Sequence, residues 1–172
     1  MEIDKQTHVF RQGASLDRAQ ELYKFDTALR DLVFSATRQI EVALRSRVNY
    51  HFSRHHTPFW FAQVDIEFLI SWLESITVLR NLCAHHARIW NRRYALKPQM
   101  PKALVDHKWL SDFSFPPDKI YPQLCCIAYL LNAIDVQNTF SKDIKRLLWK
   151  FPSVDAAAMG FPKGWMKELL WK

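Results

Sequence analysis

The run Leu69-Ile70-Ser71-Trp72-Leu73-Glu74-Ser75-Ile76-Thr77-Val78-Leu79-Arg80-Asn81-Leu82-Cys83-Ala84-His85-His86 decides the fold. Its apolar residues Leu69, Trp72, Ile76, Leu79 and Cys83 recur every three or four positions. Continued through Ala87 and Trp90 at about 100° per residue, they stay within about 80° of one face. The spacing predicts an amphipathic helix that begins near Asp65 and runs past His86. Asn81, His85, Arg88 and Arg92 gather on the opposite side, between about 180° and 240° from Leu79, and Arg80 stands about 140° from His85. His86 falls on the apolar side, where a histidine reads first as a core residue.

The same period extends in both directions. The pattern is helical from Ser15, with Asp26 as an N-cap ahead of Leu29, Leu32, Val33, Ala36, Ile40, Ala43 and Leu44. Thr57-Pro58 ends that helix, because a residue before proline disfavours the α region. Arg38, Glu41 and Arg45 occupy the other face. They read either as a surface ladder of ion pairs or as a face that looks toward an anion, with Glu41 orienting an arginine. Pro98 to Pro117 is a long loop. Ile120, Leu124, Ile127, Ala128, Leu131 and Ile134 define a third core helix. Ser141 caps a shorter basic one that turns Ile144, Leu147, Leu148 and Phe151 inward and Lys142, Lys145, Arg146 and Lys150 outward. The Trp165-to-Trp171 tail reads as a short helix packed on the rest.

The three glycines, at positions 13, 160 and 164, leave nothing for tight hairpins between Ala14 and Met159. The fold class is therefore all-α: a bundle of long core helices with a shorter C-terminal helical extension. Its parts are an N-terminal arm over 1–14, a helical domain over 15–151 and a tail over 152–172.

Composition narrows the function. A formal net charge of +7 favours an anionic partner, nucleic acid ahead of membrane. Between Ile76 and Val105 there is no acidic residue, while Arg80, Arg88, Arg92, Arg93, Lys97 and Lys102 all fall there. Cys83, Cys125 and Cys126 have no metal-ligand spacing, and neither a signal peptide nor a membrane span is evident, so a reduced cytoplasmic protein is expected. There is no phosphate-cradling glycine loop and no carboxylate cluster for paired magnesium ions. The neighbours His55-His56 and His85-His86 diverge by about 100° within each pair, poor geometry for one metal. No cofactor and no metal are expected.

What remains is metal-free RNA cleavage, in which the ribose 2′-OH attacks the adjacent phosphorus. Arg80 supplies a fixed cation for the phosphoryl oxygens, His85 can transfer a proton, and Asn81, four residues before it on the same face, can orient the ring or bond the phosphate. DNA lacks the 2′-OH, so such a site selects RNA by mechanism.

Arg80-Asn81-Leu82-Cys83-Ala84-His85 resembles the R-N-x-x-x-H signature of HEPN-domain ribonucleases. The longer string Leu79 to Arg92 is similar to the signature of the Abi (abortive-infection, AbiD/AbiF-like) family, and Leu22-Tyr23-Lys24-Phe25-Asp26 through Ile40-Glu41-Val42-Ala43-Leu44-Arg45 to a second block of it. The stretch between these blocks is shorter here than in that family. The resemblance implies a HEPN-like antiparallel bundle and RNA cleavage in bacterial antiphage defence. It further implies a homodimer whose composite site joins Arg80 and His85 of both protomers, and an inhibitory antitoxin or RNA partner. His86 also fits the looser form of the motif, and His86, Arg88, Arg92, Arg38, Glu41 and Arg45 are candidate supporting or RNA-binding residues. A second reading keeps the signature without catalysis, as a helical RNA-binding or dimerisation module.

Overall fold

A computed structural model describes residues 15–52, 65–102 and 109–172. Four α-helices carry the chain: α1 (Leu16–Phe52), α2 (Ile66–Ala84), α3 (Ile120–Ile134) and α4 (Phe140–Lys150). Three single 3₁₀ turns come after them, at Ala157–Met159, Trp165–Lys167 and Leu169–Trp171, and no strand occurs among the described residues. The protein is all-α.

The 37 residues of α1 make a spine about 55 Å long at 1.5 Å per residue. It packs on α2, α3 and α4 in turn. Ser15 starts it, its Oγ accepting the Arg18 N–H at 3.1 Å. Asp26 is therefore not the N-cap expected: it lies in mid-helix and is buried. The expected stripe is present, with Phe25, Leu29, Val33, Ala36 and Ile40 buried. The described part of α1 ends at Phe52, and Thr57-Pro58 and His55-His56 lie outside the described residues.

Helix α3 is the centre. Every residue from Ile120 to Leu131 is buried, because α1, α2, α4 and the last 3₁₀ turn pack around it. Pro122 fits its first turn, where a backbone N–H has no partner inside the helix. Two polar side chains meet in this core: Gln123 Nε2 donates to Ser75 Oγ at 2.9 Å, joining α3 to α2, while Gln123 Oε1 is buried and unpartnered among the described residues.

Aromatic rings close both ends. Trp72 of α2 stacks on Trp109 at 5.4 Å between centroids, and Tyr129 of α3 meets both edge-on. The indole N–H groups are spent on the connecting loop, Trp72 on Gln99 O at 2.6 Å and Trp109 on Pro101 O at 2.9 Å. At the other end Tyr121 is surrounded by Phe115, Phe161 and Trp171. The tail is thus part of the core, in 3₁₀ turns rather than one short helix. Gly160 lets it approach: its φ is +92°, and a Cβ there would stand 2.6 Å from Lys119 Cβ.

Helix α4 differs from expectation at its start. Thr139 is the N-cap, and its hydroxyl donates to Asp143 Oδ2 at 2.6 Å. Ser141, expected to cap, lies inside the first turn with its Oγ buried and unpartnered among the described residues. Ile144, Leu147 and Phe151 turn inward as expected, and Arg146 and Lys150 reach solvent with Lys142. No helix among the described residues is long and apolar enough to cross a membrane.

Replacing Trp171, fully buried against Tyr121 and Trp165, with alanine is expected to cost about 3–5 kcal/mol, read as a lower urea midpoint with an unchanged helical circular-dichroism spectrum. The three thiols are buried, and desolvation pushes Cys83 up to about 12 from its ordinary 9.0 and raises Cys125 and Cys126 too. Unfolded thiols lose their protons from about pH 9 while folded Cys83 keeps its proton to about 12, so the unfolded state binds fewer protons and stability falls as pH rises through that window. Urea midpoints at pH 8, 9.5 and 10.5 check this, and a flat series would contradict it.

Candidate functional site

The end of α2 sets the geometry of the site. Leu69, Trp72, Ile76, Leu79 and Cys83 are buried as their spacing requires. The helix nevertheless stops at Ala84, short of the expected run past His86. His85 is the C-cap, and its N–H makes a last helical bond to Asn81 O at 3.0 Å. His86 takes a left-handed φ of 54°. Its N–H reaches Cys83 O at 3.1 Å, and the Ala87 N–H reaches Leu82 O at 2.9 Å. These paired bonds form a Schellman motif, with histidine where glycine is usual.

The segment beyond this turn is held by α1. Asp26 Oδ1 accepts the backbone N–H groups of Ile89 at 3.0 Å and Trp90 at 2.8 Å. Its other oxygen is held by Arg30 Nη1, and Arg30 Nη2 donates to Thr27 Oγ1 at 2.9 Å. Asp26 and Arg30 are both buried. Tyr94 closes the loop by donating its hydroxyl to Ile89 O at 2.8 Å. Asn91, the second left-handed residue of this loop, is anchored through its Oδ1 by Lys119 Nζ at 2.7 Å.

Two expectations fail for one reason. His86 is exposed and not a core residue, because the helical wheel no longer applies once the chain turns left-handed. Arg88 and Arg92 reach solvent too, but on the irregular segment after α2 rather than in register with Asn81 and His85.

The remaining candidates form two groups. On the α1–α2 side, Glu41 Oε1 lies 3.4 Å from Arg80 Nε and Glu41 Oε2 lies 4.0 Å from Arg45 Nη2. The Arg80 guanidinium sits over the Phe34 ring, 5.6 Å from its centroid, and its Nη1 donates to Asn81 Oδ1 at 3.3 Å. Glu41 thus makes one long contact along α1, to Arg45 and not to Arg38, and also orients an arginine across the helix pair. Arg80 and Glu41 are each about 40% exposed, so their pair is worth under about 1 kcal/mol and fixes direction rather than stability. Arg38 is exposed on the same helix and has no ion pair among the described residues.

At the end of α2, Asn81 and His85 sit four residues apart, close enough for their side chains to be neighbours. Both are exposed, and no hydrogen bond engages the His85 ring among the described residues. Beside them a shallow hollow of about 240 Å³ is lined by Tyr23, Asp26, Arg30, His86, Arg88 and Trp90 among others. Asp26, Arg30 and Tyr23 do not stand out as site-forming in the sequence. The available signal was an opposite-charge pair four residues apart beside the Phe25–Leu29–Val33 stripe.

An all-α scaffold with a half-exposed arginine and an exposed amide and histidine at one helix end, in a basic surround, is the class this geometry defines. The chain matches the family model described as Abi-like protein over residues 1–67 and 61–91. Together these segments span residues 1–91, just over half of the 172, and the chain belongs to the Abi-like family. Neither the search of curated proteins nor that of solved structures gives a match. The matched part contains Asp26, Arg30 and Glu41 as well as Arg80 through Trp90, so it holds both the clamp and the candidate site.

Asp26→Ala is expected to destabilise the protein by about 3–5 kcal/mol, because it strands the buried Arg30 charge and two backbone N–H groups. Asp26→Leu combined with Arg30→Met, which removes both charges together, should cost distinctly less than the sum of the single changes. A double-mutant cycle by urea unfolding reads the difference.

Proposed function

We propose that this chain is a metal-independent endoribonuclease of the HEPN type that acts in bacterial abortive-infection defence. The observation that carries the reading is the solvent-accessible Arg80–Asn81–His85 set at the end of α2, with the half-exposed Arg80 oriented by Glu41 and Phe34. Membership of the Abi-like family supports the defence role.

In this reading the ribose 2′-OH attacks the neighbouring phosphorus and the 5′-oxygen leaves, giving a 2′,3′-cyclic phosphate and a new 5′-hydroxyl. Arg80 meets the phosphoryl oxygens, where negative charge grows. Among the described residues its partners are Glu41 and Asn81, which engage two donor atoms, and a guanidinium carries five N–H donors. His85 moves a proton, either from the 2′-OH or to the leaving oxygen, a role worth roughly 10²–10⁴ in rate. One histidine per chain serves one of these ends, so a homodimer that pairs two such sites supplies both. Asn81 orients His85 or the phosphate, and His86, Arg88, Arg92, Arg38 and Arg45 hold the flanking RNA backbone. An inhibitory antitoxin or RNA partner would keep such an enzyme silent in the cytoplasm. The second reading, a non-catalytic RNA-binding or dimerisation module, draws on the engagement of Arg80 by Glu41, which an incoming phosphate must displace.

Purified protein incubated with end-labelled RNA in EDTA is expected to give products ending in 2′,3′-cyclic phosphate. His85→Ala and Arg80→Ala should each lower the rate about 10²- to 10⁴-fold while leaving the circular-dichroism spectrum and urea midpoint unchanged. Salt-sensitive RNA retention without products would establish the binding module instead.

A further inference from the structure

The hollow beside the end of α2 has a composition that the reaction chemistry does not require. We propose that it receives one unpaired base of the RNA, next to the phosphate handled by Arg80 and His85; this rests on the RNA-directed reading of the site. Two aromatic side chains on separate elements frame it, Tyr23 from α1 and Trp90 from the loop after α2. Tyr23 is 69% exposed and Trp90 is half-buried. Aromatic side chains are the common platform for single-stranded bases, since every base has a π-face.

The polar lining fits the same occupant. Arg30 is buried, uses Nη1 on Asp26 and Nη2 on Thr27, and also lines the hollow. A guanidinium has five N–H donors, so donors remain for the carbonyl or ring-nitrogen edge of a base. Arg88 and His86 stand at the same hollow, suited to the phosphate that a base brings with it. Size agrees as well: about 240 Å³ falls below the roughly 300–1,000 Å³ that encloses a drug-sized ligand and suits a fragment such as a single base.

Position links the hollow to the candidate catalytic group. His86 lines it, and His85 is the preceding residue at the helix end. Asp26, which also lines the hollow, holds the N–H groups of Ile89 and Trp90 and so fixes the Trp90 backbone. The platform is therefore built in before RNA arrives.

Binding is measured by fluorescence anisotropy with a labelled single-stranded oligonucleotide carrying 2′-O-methyl groups, which blocks 2′-OH attack and separates binding from cleavage. Tyr23→Ala is expected to weaken binding about tenfold, and Tyr23→Phe to stay within about twofold of wild type, because stacking needs the ring and not the hydroxyl. Binding of a fully paired duplex of the same length should be unchanged by either substitution, since its bases are not free to enter. Equal affinity of wild type and Tyr23→Ala for the single strand would overturn the base site while leaving the ribonuclease reading standing. Tyr23-dependent binding with no cleavage of unmodified RNA would fail the ribonuclease reading and uphold the base site. No binding by the wild type at all would overturn the base site, and cleavage of unmodified RNA in EDTA would then decide the ribonuclease reading by itself.

Discussion

The carboxylate of Asp26 is the constraint on which the shape of this protein turns. It is buried in mid-helix, shares one oxygen with the Arg30 guanidinium and gives the other to the backbone N–H groups of Ile89 and Trp90. Taking a charge out of water costs several kcal/mol unless both its charge and its hydrogen-bonding capacity are met. Here α1 supplies the counter-charge four residues on, and the segment after α2 supplies two donors. Neither alone would satisfy the carboxylate, so its burial requires α1 and the end of α2 to meet in one register.

That requirement explains why α2 is shorter than its sequence pattern. In a continuing helix the N–H groups of Ile89 and Trp90 would bond to the carbonyls four residues earlier, those of His85 and His86. Asp26 takes both donors, and the chain instead closes α2 with the left-handed His86 and the two return bonds at Cys83 and Leu82. A non-glycine residue in that region carries a cost that the surrounding structure must offset. The Asp26 clamp, the Tyr94 bond to Ile89 and the Lys119 bond to Asn91 offset it.

The same constraint divides what the residues alone reveal from what they conceal. Apolar periodicity reports faces reliably, so the cores of α1, α2, α3 and α4 stood in the sequence, with Leu69 to Cys83 buried as their spacing demands. Helix ends are decided by partners far along the chain, 63 and 64 residues away for the two Asp26 bonds, and spacing carries no trace of them. Asp26 therefore looked like a cap, His86 looked buried, and Arg88 and Arg92 looked in register with His85. At α4 the cap is Thr139 rather than Ser141, and apolar spacing does not separate two hydroxyl residues two positions apart. Within the candidate site, the sequence held the residue types and the Asn81–His85 face. That Glu41 orients an arginine was one of two alternatives there, but that the arginine is Arg80 depends on two helices whose packing no single-helix pattern specifies.

The two arginine–carboxylate pairs Arg30–Asp26 and Arg80–Glu41 differ in kind, and the difference bears on function. Arg30–Asp26 is buried, multiply bonded and locked by backbone; no ligand could exchange for it without opening the core. Arg80–Glu41 is half-exposed and longer, at 3.4 Å, in a setting where solvent already competes for both partners. An anion offering two oxygens to Arg80 would replace a weak interaction with a stronger, bidentate one. The fold thus uses its rigid pair to fix the end of α2 and leaves its exchangeable pair half-exposed where α1 meets α2. In the proposed reaction Glu41 would be a placeholder, holding Arg80 over Phe34 until an anion took the guanidinium.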